Sequence, residues 1–471
     1  MSKADRAYAL AKAKDWPGAM RVINDTLNKD PEDISMIMVS AYVMMGVENW
    51  GMAYNQLKYV LHNSPNFAEI YNNLGMACAS LSSCTGKDKY LDEAGLYLRR
   101  ALKKILTPDG LRRIAKGEPD PRPAIYNNLA LVAVNKSEFE AAEEFARESL
   151  KIEPEHKDTL ETLSYAQLAQ GKWKEGFFNY EWALGGKHRQ PSPAGDEDYW
   201  LGGTGQNIYV RGEQGIGDEI TYASVLHDAM KHNTITLECD ARLEGLFKRS
   251  FPDLEIYGTR FDKNANWMSS RKFDAHCLIG SLCREYRHKD EDFPRTPFLI
   301  PDPERRAQWR VLLDKLPGKK VGIAWTGGLP NTFQSRRSFN LEGLLPILKT
   351  PGITFVSLQY KDPSGEIEAL KAKHGIEVKH WARAAQAHDF DEPAALIAEL
   401  DAVVTVTTAT AHLCGAIGQK AYVLVPSRCR WFYRSDSEKH RWYDSLELFK
   451  QEDRWPIERL AHKLKADLNG A

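Results

Sequence analysis

Apolar residues over the first 186 positions recur at helical spacing, in paired runs separated by short polar turns, and the pairs repeat. Asp30-Pro31 and Ser64-Pro65 end two similar pairs, with the prolines 34 residues apart. Tyr71-Asn72-Asn73-Leu74 returns as Tyr126-Asn127-Asn128-Leu129 after 55 residues, and Glu153-Pro154 closes that later pair. The excess over 34 is an insertion of 21 residues, visible as Gly-, Pro- and charge-rich stretches at 82–89 and 107–123. Small residues fall where the two helices of each pair must approach: Ala19, Ala53, Ala94 and Ala141. The last pair is predicted at 159–184, with Trp173 in its turn.

A 34-residue helix–turn–helix period closed by proline resembles tetratricopeptide repeats. Residues 1–186 are therefore predicted to stack as about five units of an α-solenoid, with a concave groove for an acceptor or a protein partner. The alternative is an array that only scaffolds the next domain or forms a dimer. Gly, Pro and acidic residues over 187–206 predict a linker. Beyond it the apolar runs shorten and become β-branched. Strands are predicted at 207–211, 234–238, 254–257 and 275–279, with helices at 217–232 and 241–250 between them. This makes 207–302 one α/β lobe. A second lobe, 303–453, opens with a helical connector at 303–316 and a strand at 320–325. It continues through strands at 355–358, 402–406 and 421–425, and a closing helix occupies 454–471. Two such lobes predict a cleft facing the carboxyl ends of their strands.

Composition narrows the function. A net charge of −1 removes the usual electrostatic argument for nucleic-acid or membrane binding. No apolar run reaches the roughly 20 residues of a membrane span, and the N-terminal segment lacks a signal-peptide core. The seven cysteines form no CxxC pair and suit reduced thiols in a cytoplasmic protein. The 13 histidines show no HxxxH or HExxH spacing, so no protein-bound metal and no cofactor is expected.

Four loops after strands carry candidate chemistry. Arg211-Gly212-Glu213-Gln214-Gly215-Ile216-Gly217-Asp218 combines glycines for close backbone approach with Asp218 at a helix start. Asp218 reads as an N-cap, or as a carboxylate at the cleft edge able to accept a proton. Trp325-Thr326-Gly327-Gly328 is followed by Arg336, Arg337 and Ser338, and paired arginines suit phosphate. Gln359 follows the next strand and could meet a base or ribose. Thr407, Thr408 and Thr410 open a helix that also carries His412, a turn suited to an anion. No GxxxxGK[ST] is present, which excludes a P-loop nucleotidase. The acidic triplets Asp196-Glu197-Asp198 and Asp290-Glu291-Asp292 follow no apolar strand and are predicted to be solvated.

Residues from about 200 to 454 resemble the heptosyltransferase-like glycosyltransferases of GT-B fold, as carried behind tetratricopeptide repeats in bacterial and phage proteins. The resemblance rests on GEQGIGDEITYA, VGIAWTGG, RRSFNLEGLLPIL, FVSLQ, DFDEPAALIAELDAVVTV, TTATAHLCGAIG and RWYDSLELFKQ, in that order. It implies inverting, metal-independent transfer of a hexosyl, heptosyl or pentosyl group from a nucleotide sugar to an acceptor hydroxyl on a protein, glycan or modified nucleobase. It implies Asp218 as the catalytic base. Gly217, Trp325, Thr326, Gly327, Arg336, Arg337, Ser338, Gln359, Thr407, Thr408, Thr410 and His412 are implied as donor-binding. The family carries Asp-Thr where this chain has Thr407-Thr408, which puts one sugar contact in doubt. The aromatic residues Trp431, Phe432, Tyr433, Trp442 and Tyr443 are expected to pack the last helix between the lobes, or else to stack on sugar.

The expected location is the cytoplasm of a bacterial or phage-infected cell. Two alternatives remain: a non-catalytic repeat scaffold with a degenerate nucleotide-binding domain, and a phage-type DNA-modifying sugar transferase. The near-zero charge disfavours the second.

Overall fold

In the first two helical pairs of the N-terminal region, a polar cap starts a second helix whose first residue is aromatic and whose fourth residue is small. Asp15 accepts the Gly18 N–H ahead of Trp16 and Ala19, and Asn49 accepts the Met52 N–H ahead of Trp50 and Ala53. The computed structural model describes residues 2–65, 67–186, 189–190, 198–328, 334–385, 388–433 and 438–469. It divides into two units, Met1–Ala166 and Gln167–Ala471.

The first unit is a tetratricopeptide-like helical array. It pairs α1 (Lys3–Lys12) with α2 (Trp16–Leu27), α3 (Ile34–Gly46) with α4 (Trp50–Asn63), and α5 (Ala68–Thr85) with α6 (Lys89–Ile105). The insertion forms an extra helix, α7 (Pro108–Ala115), before α8 (Arg122–Asn135) pairs with α9 (Phe139–Ile152). Ala19, Ala53 and Ala94 are fully buried at the close approaches. In α9 that place belongs to Ala142 rather than Ala141, because the helix starts at Phe139 and buries its fourth residue. The repeated Tyr-Asn-Asn-Leu motifs lie side by side, with Asn128 Nδ2 donating to Asn72 Oδ1 at 3.0 Å.

Helix α10 (Lys157–Ala169) runs across the division between the units, and α11 (Trp173–Tyr180) belongs to the second. There Trp173 and Phe177 pack against Phe293, Trp431 and Trp442, all buried. The aromatic cluster thus seats α11. The closing helix, Ile457–Asn469, lies elsewhere, with Leu460 and Leu464 in the core of the second sheet. Of the linker, 187–188 and 191–197 lie outside the described residues, and Asp196 and Glu197 with them. Within it Arg189 is built in: the side chain is buried, with Nε donating to Glu213 Oε2 at 2.7 Å and Nη2 to Ser281 Oγ at 2.7 Å. Asp290, expected in solvent, instead accepts Trp173 Nε1 at 2.8 Å and Arg441 Nη1 at 2.7 Å.

Two parallel sheets form the rest of the second unit. The first holds β1 (Asn207–Arg211), β2 (Thr234–Glu238), β3 (Glu255–Tyr257) and β4 (Ala275–Leu278), in the order β3-β2-β1-β4. The second holds β5 (Lys319–Ala324), β6 (Ile353–Ser357), β7 (Val378–Lys379), β8 (Ala402–Val406), β9 (Ala421–Val425) and β10 (Leu446–Lys450), in the order β10-β9-β8-β5-β6-β7. In each sheet the winding reverses once, between β1 and β4 and between β5 and β8. Crevices for ligands open at such reversals, at the carboxyl ends of the strands. The helix predicted at 217–232 is interrupted after α12 (Ile216–Ala223). Arg287 Nη2 takes the Ser224 carbonyl at 3.0 Å, and Trp442 Nε1 donates to the Ser224 hydroxyl at 3.1 Å.

Candidate functional site

The turn after β1 places Asp218. Gln214 adopts a left-handed backbone (φ 57°), and Gly215 turns the chain into α12. Asp218 is not the N-cap, a place that Gly215 holds; it is third in that helix and accepts the Gly215 N–H on Oδ2 at 3.1 Å. Its other oxygen faces Arg430 Nη1 at 3.4 Å, and its side chain is 12% exposed. Next to it, Glu219 is buried against Arg260 and accepts the Asp240 N–H at 2.9 Å. Burial pushes the Glu219 carboxyl up to about 7. Arg260 also donates to the Gln214 carbonyl at 3.0 Å, which pins the Gly-rich turn from below.

The turn after β8 faces this loop. Thr408 stands at the N-cap of the helix Ala409–Ile417, yet its side chain makes no cap hydrogen bond. The first N–H groups of that helix therefore lack a side-chain cap, an arrangement that suits an anion. Arg337 Nη1 donates to the Thr407 carbonyl at 2.7 Å. Burial, and after it the Arg430 charge, lower the Arg337 pKa, with Tyr433 and Asp218 acting the other way. Gly327 lies against Thr408 so closely that a Cβ there would overlap the threonine methyl, and its N–H reaches Ser338 Oγ at 3.4 Å. Arg336 and Thr410 are half-buried.

His412 joins the two lobes of the unit. The single Thr221 hydroxyl proton goes to the Gly217 carbonyl at 2.9 Å, so its oxygen accepts from His412 Nδ1 at 2.8 Å and from the Tyr443 hydroxyl at 3.2 Å. His412 Nε2 then accepts the Tyr433 hydroxyl proton at 2.8 Å. Burial pushes the His412 pKa down to about 4, so the ring is neutral near pH 7. Both ring nitrogens are taken within the protein, and His412 fastens the lobes instead of offering a nitrogen to a ligand. Beside it, a Cβ on Gly217 would stand 3.2 Å from the His412 ring and 3.3 Å from the Ala409 Cα. The absence of a side chain at Gly217 lets the two helix starts meet this closely without displacing either neighbour.

No family model matches this chain. Protein FlbA of Caulobacter vibrioides is 30% identical over 446 residues, which cover 90% of this chain and 70% of that protein. The chain belongs to the FlbA family. Among solved structures, PilW, described as a type IV pilus biogenesis factor, is similar over 38% of this chain and 74% of its own, at 20% identity and a TM-score of 0.31. A thermophilic TPR protein of Thermus thermophilus is similar over 38% of this chain and 87% of its own, at 17% identity and a TM-score of 0.32.

The FlbA-family fold brings together Gly217, Asp218, Gly327, Arg337, Ser338, Thr407, Thr408 and His412. It turns three other candidates inward. Trp325 is fully buried, with Nε1 donating to Glu366 at 3.1 Å. Gln359 accepts the Trp325 and Thr326 N–H groups at 3.2 Å and donates to the Thr326 hydroxyl. These three residues brace the loop after β5. Sequence reasoning missed Arg430, which also reaches Gln214 Oε1 at 3.2 Å, along with Thr221 and Tyr433 as the partners of His412. A signal for Arg430 existed: it follows a buried strand, β9, as the four candidate loops follow theirs. Among the described residues no three His, Cys, Asp or Glu side chains gather in a way that could hold a metal ion, and no helix is long and apolar enough to cross a membrane.

Proposed function

We propose that this FlbA-family chain is an inverting glycosyltransferase of GT-B type. It would move a sugar from a nucleotide-sugar donor to an acceptor hydroxyl, while the repeats recognise the acceptor or a partner protein. One observation carries the reading: at the facing strand-order reversals, the Asp218 carboxylate stands opposite a helix start without a side-chain cap, near Arg337 and Arg430. In such a transfer the acceptor oxygen bonds to the anomeric carbon and its proton passes to a base. The bond from that carbon to the diphosphate breaks, and its electron pair leaves on the phosphate oxygen. Asp218 is the base in this scheme. Arg337, Arg430, Ser338 and the N–H groups after Thr408 meet the charge that grows on the leaving diphosphate, where such groups count most. A diphosphate would also draw Arg430 away from Asp218 and leave that carboxylate able to accept the proton.

A panel of nucleotide sugars incubated with the protein should yield hydrolysis or transfer from at least one donor. Asp218→Asn keeps an acceptor for the Gly215 N–H and should lower the rate about 10²- to 10⁴-fold with the melting temperature unchanged. Parental activity in Asp218→Asn would remove Asp218 from the role of base.

One observation favours a second reading, a nucleotide-binding module without turnover. Thr407, in place of the acid that the resemblance implies, is 4% exposed, and its carbonyl is held by Arg337. Calorimetry separates the readings. Nucleoside diphosphate binding without turnover of any donor supports the module, and no nucleotide binding at all leaves only a scaffold.

A further inference from the structure

The end of α6 and the inserted stretch after it form a basic part of the repeat array. Residues 99–116 carry seven basic side chains and one acidic one, in a chain whose net charge is −1. Arg112 pairs with Asp109 at 3.5 Å and Arg113 with Glu118 at 3.8 Å. Arg99, Arg100, Lys103 and Lys116 have no acidic partner among the described residues. Beside them, a cavity of about 570 Å³ opens between the end of α6 and helices α8 and α9. Leu102, Leu106, Leu129 and Phe145 line it, and Arg99 and Lys103 stand on its rim. Leu106 is 46% exposed, while Leu129 is buried.

We propose that this cavity docks a protein partner through an acidic segment bearing one large apolar side chain. The apolar wall calls for an apolar anchor, and the unpaired rim cations call for carboxylates on either side of it. A nucleic acid would satisfy the cations and leave the cavity empty. An anionic membrane needs apolar side chains that project, whereas Leu129 is buried and Leu102 and Phe145 are half-buried. All of these residues lie in the first unit, so the inference stands apart from the transferase reading.

The test uses the full chain and fluorescence anisotropy, with a labelled peptide of Asp and Glu residues around a central Phe. Saturable, salt-sensitive binding is expected. It should weaken roughly tenfold or more when the acids become Asn and Gln, when Phe becomes Ser, or in Arg99→Glu/Lys103→Glu protein. Leu106→Ser, a change at a half-exposed position, should weaken it as well. Arg112→Glu/Arg113→Glu, at two paired residues that do not line the cavity, should weaken binding less than the rim variant. Three outcomes overturn the proposal: no saturable binding, unchanged binding in both rim and Leu106 variants of parental melting temperature, or tighter binding of single-stranded RNA or phosphatidylglycerol vesicles than of the peptide.

Discussion

Gly217 and Arg189 show how far single residues depend on contacts that the chain order hides. Gly217 sits in a tight place, where an added methyl would have to displace the Ala409 backbone and the His412 ring by a few tenths of an ångström. Gly217→Ala should therefore cost about 1–3 kcal/mol, read as a lower melting temperature, and parental stability would mean that the two helix starts are not packed this closely. Arg189 sits in a stretch whose composition reads as linker, yet it is buried between Glu213 and Ser281. Arg189→Ala leaves Glu213 buried without its partner and should cost about 3–5 kcal/mol in denaturant unfolding. A cost like that of an ordinary surface substitution would contradict the pairing. Asp218, Arg337 and Thr408 were legible as candidates because turn and cap chemistry is local. The inward roles of Trp325 and Gln359 were not, since they depend on which atoms lie across the loop.

At the scale of elements, α12 and the helix Ala409–Ile417 are fastened start to start by the Tyr433–His412–Thr221 chain of hydrogen bonds. That joint carries a pH dependence. Unfolded, His412 takes up a proton near pH 6.5, whereas in the fold burial delays protonation to about pH 4, with Asp218 favouring the charged ring and Arg430 and Arg337 opposing it. Between those limits the unfolded chain binds more protons. Stability is thus fully present above about pH 6.5 and declines as pH falls toward 4, by on the order of 3 kcal/mol for His412 alone. The buried His440 is shifted in the same direction. Urea midpoints measured across this range should fall with pH, and His412→Phe should flatten the profile; an unchanged slope in that variant would locate the acid sensitivity elsewhere. The strands β1, β2, β8 and β9 match their predicted bounds residue for residue, because β-branched and other apolar runs mark buried strands of parallel sheets. The edge strands β7 and β10 escaped prediction: one has two residues, and the other mixes Glu447 and Lys450 with its apolar residues and carries no β-branched one.

At the scale of the whole molecule, the repeat period suggests a boundary at 186, but Trp173 and Phe177 of the last helical pair are buried in the second unit. A chain beginning at residue 187 loses both, and each is a large buried aromatic worth about 3–5 kcal/mol on truncation to Ala. It should be insoluble or melt well below a chain beginning at Lys157. Equal melting temperatures would show that α11 is dispensable to that unit. The sequence by itself determined the helical repeats, the parallel α/β pattern and the loops that carry charge and glycine, because periodicity, caps and turns act between near neighbours. Only the tertiary structure decided that Asp218, Arg337, Arg430 and His412 meet. Those residues are far apart in the chain, and the order of strands around β1 and β5 brings them to one place through contacts that no local pattern records.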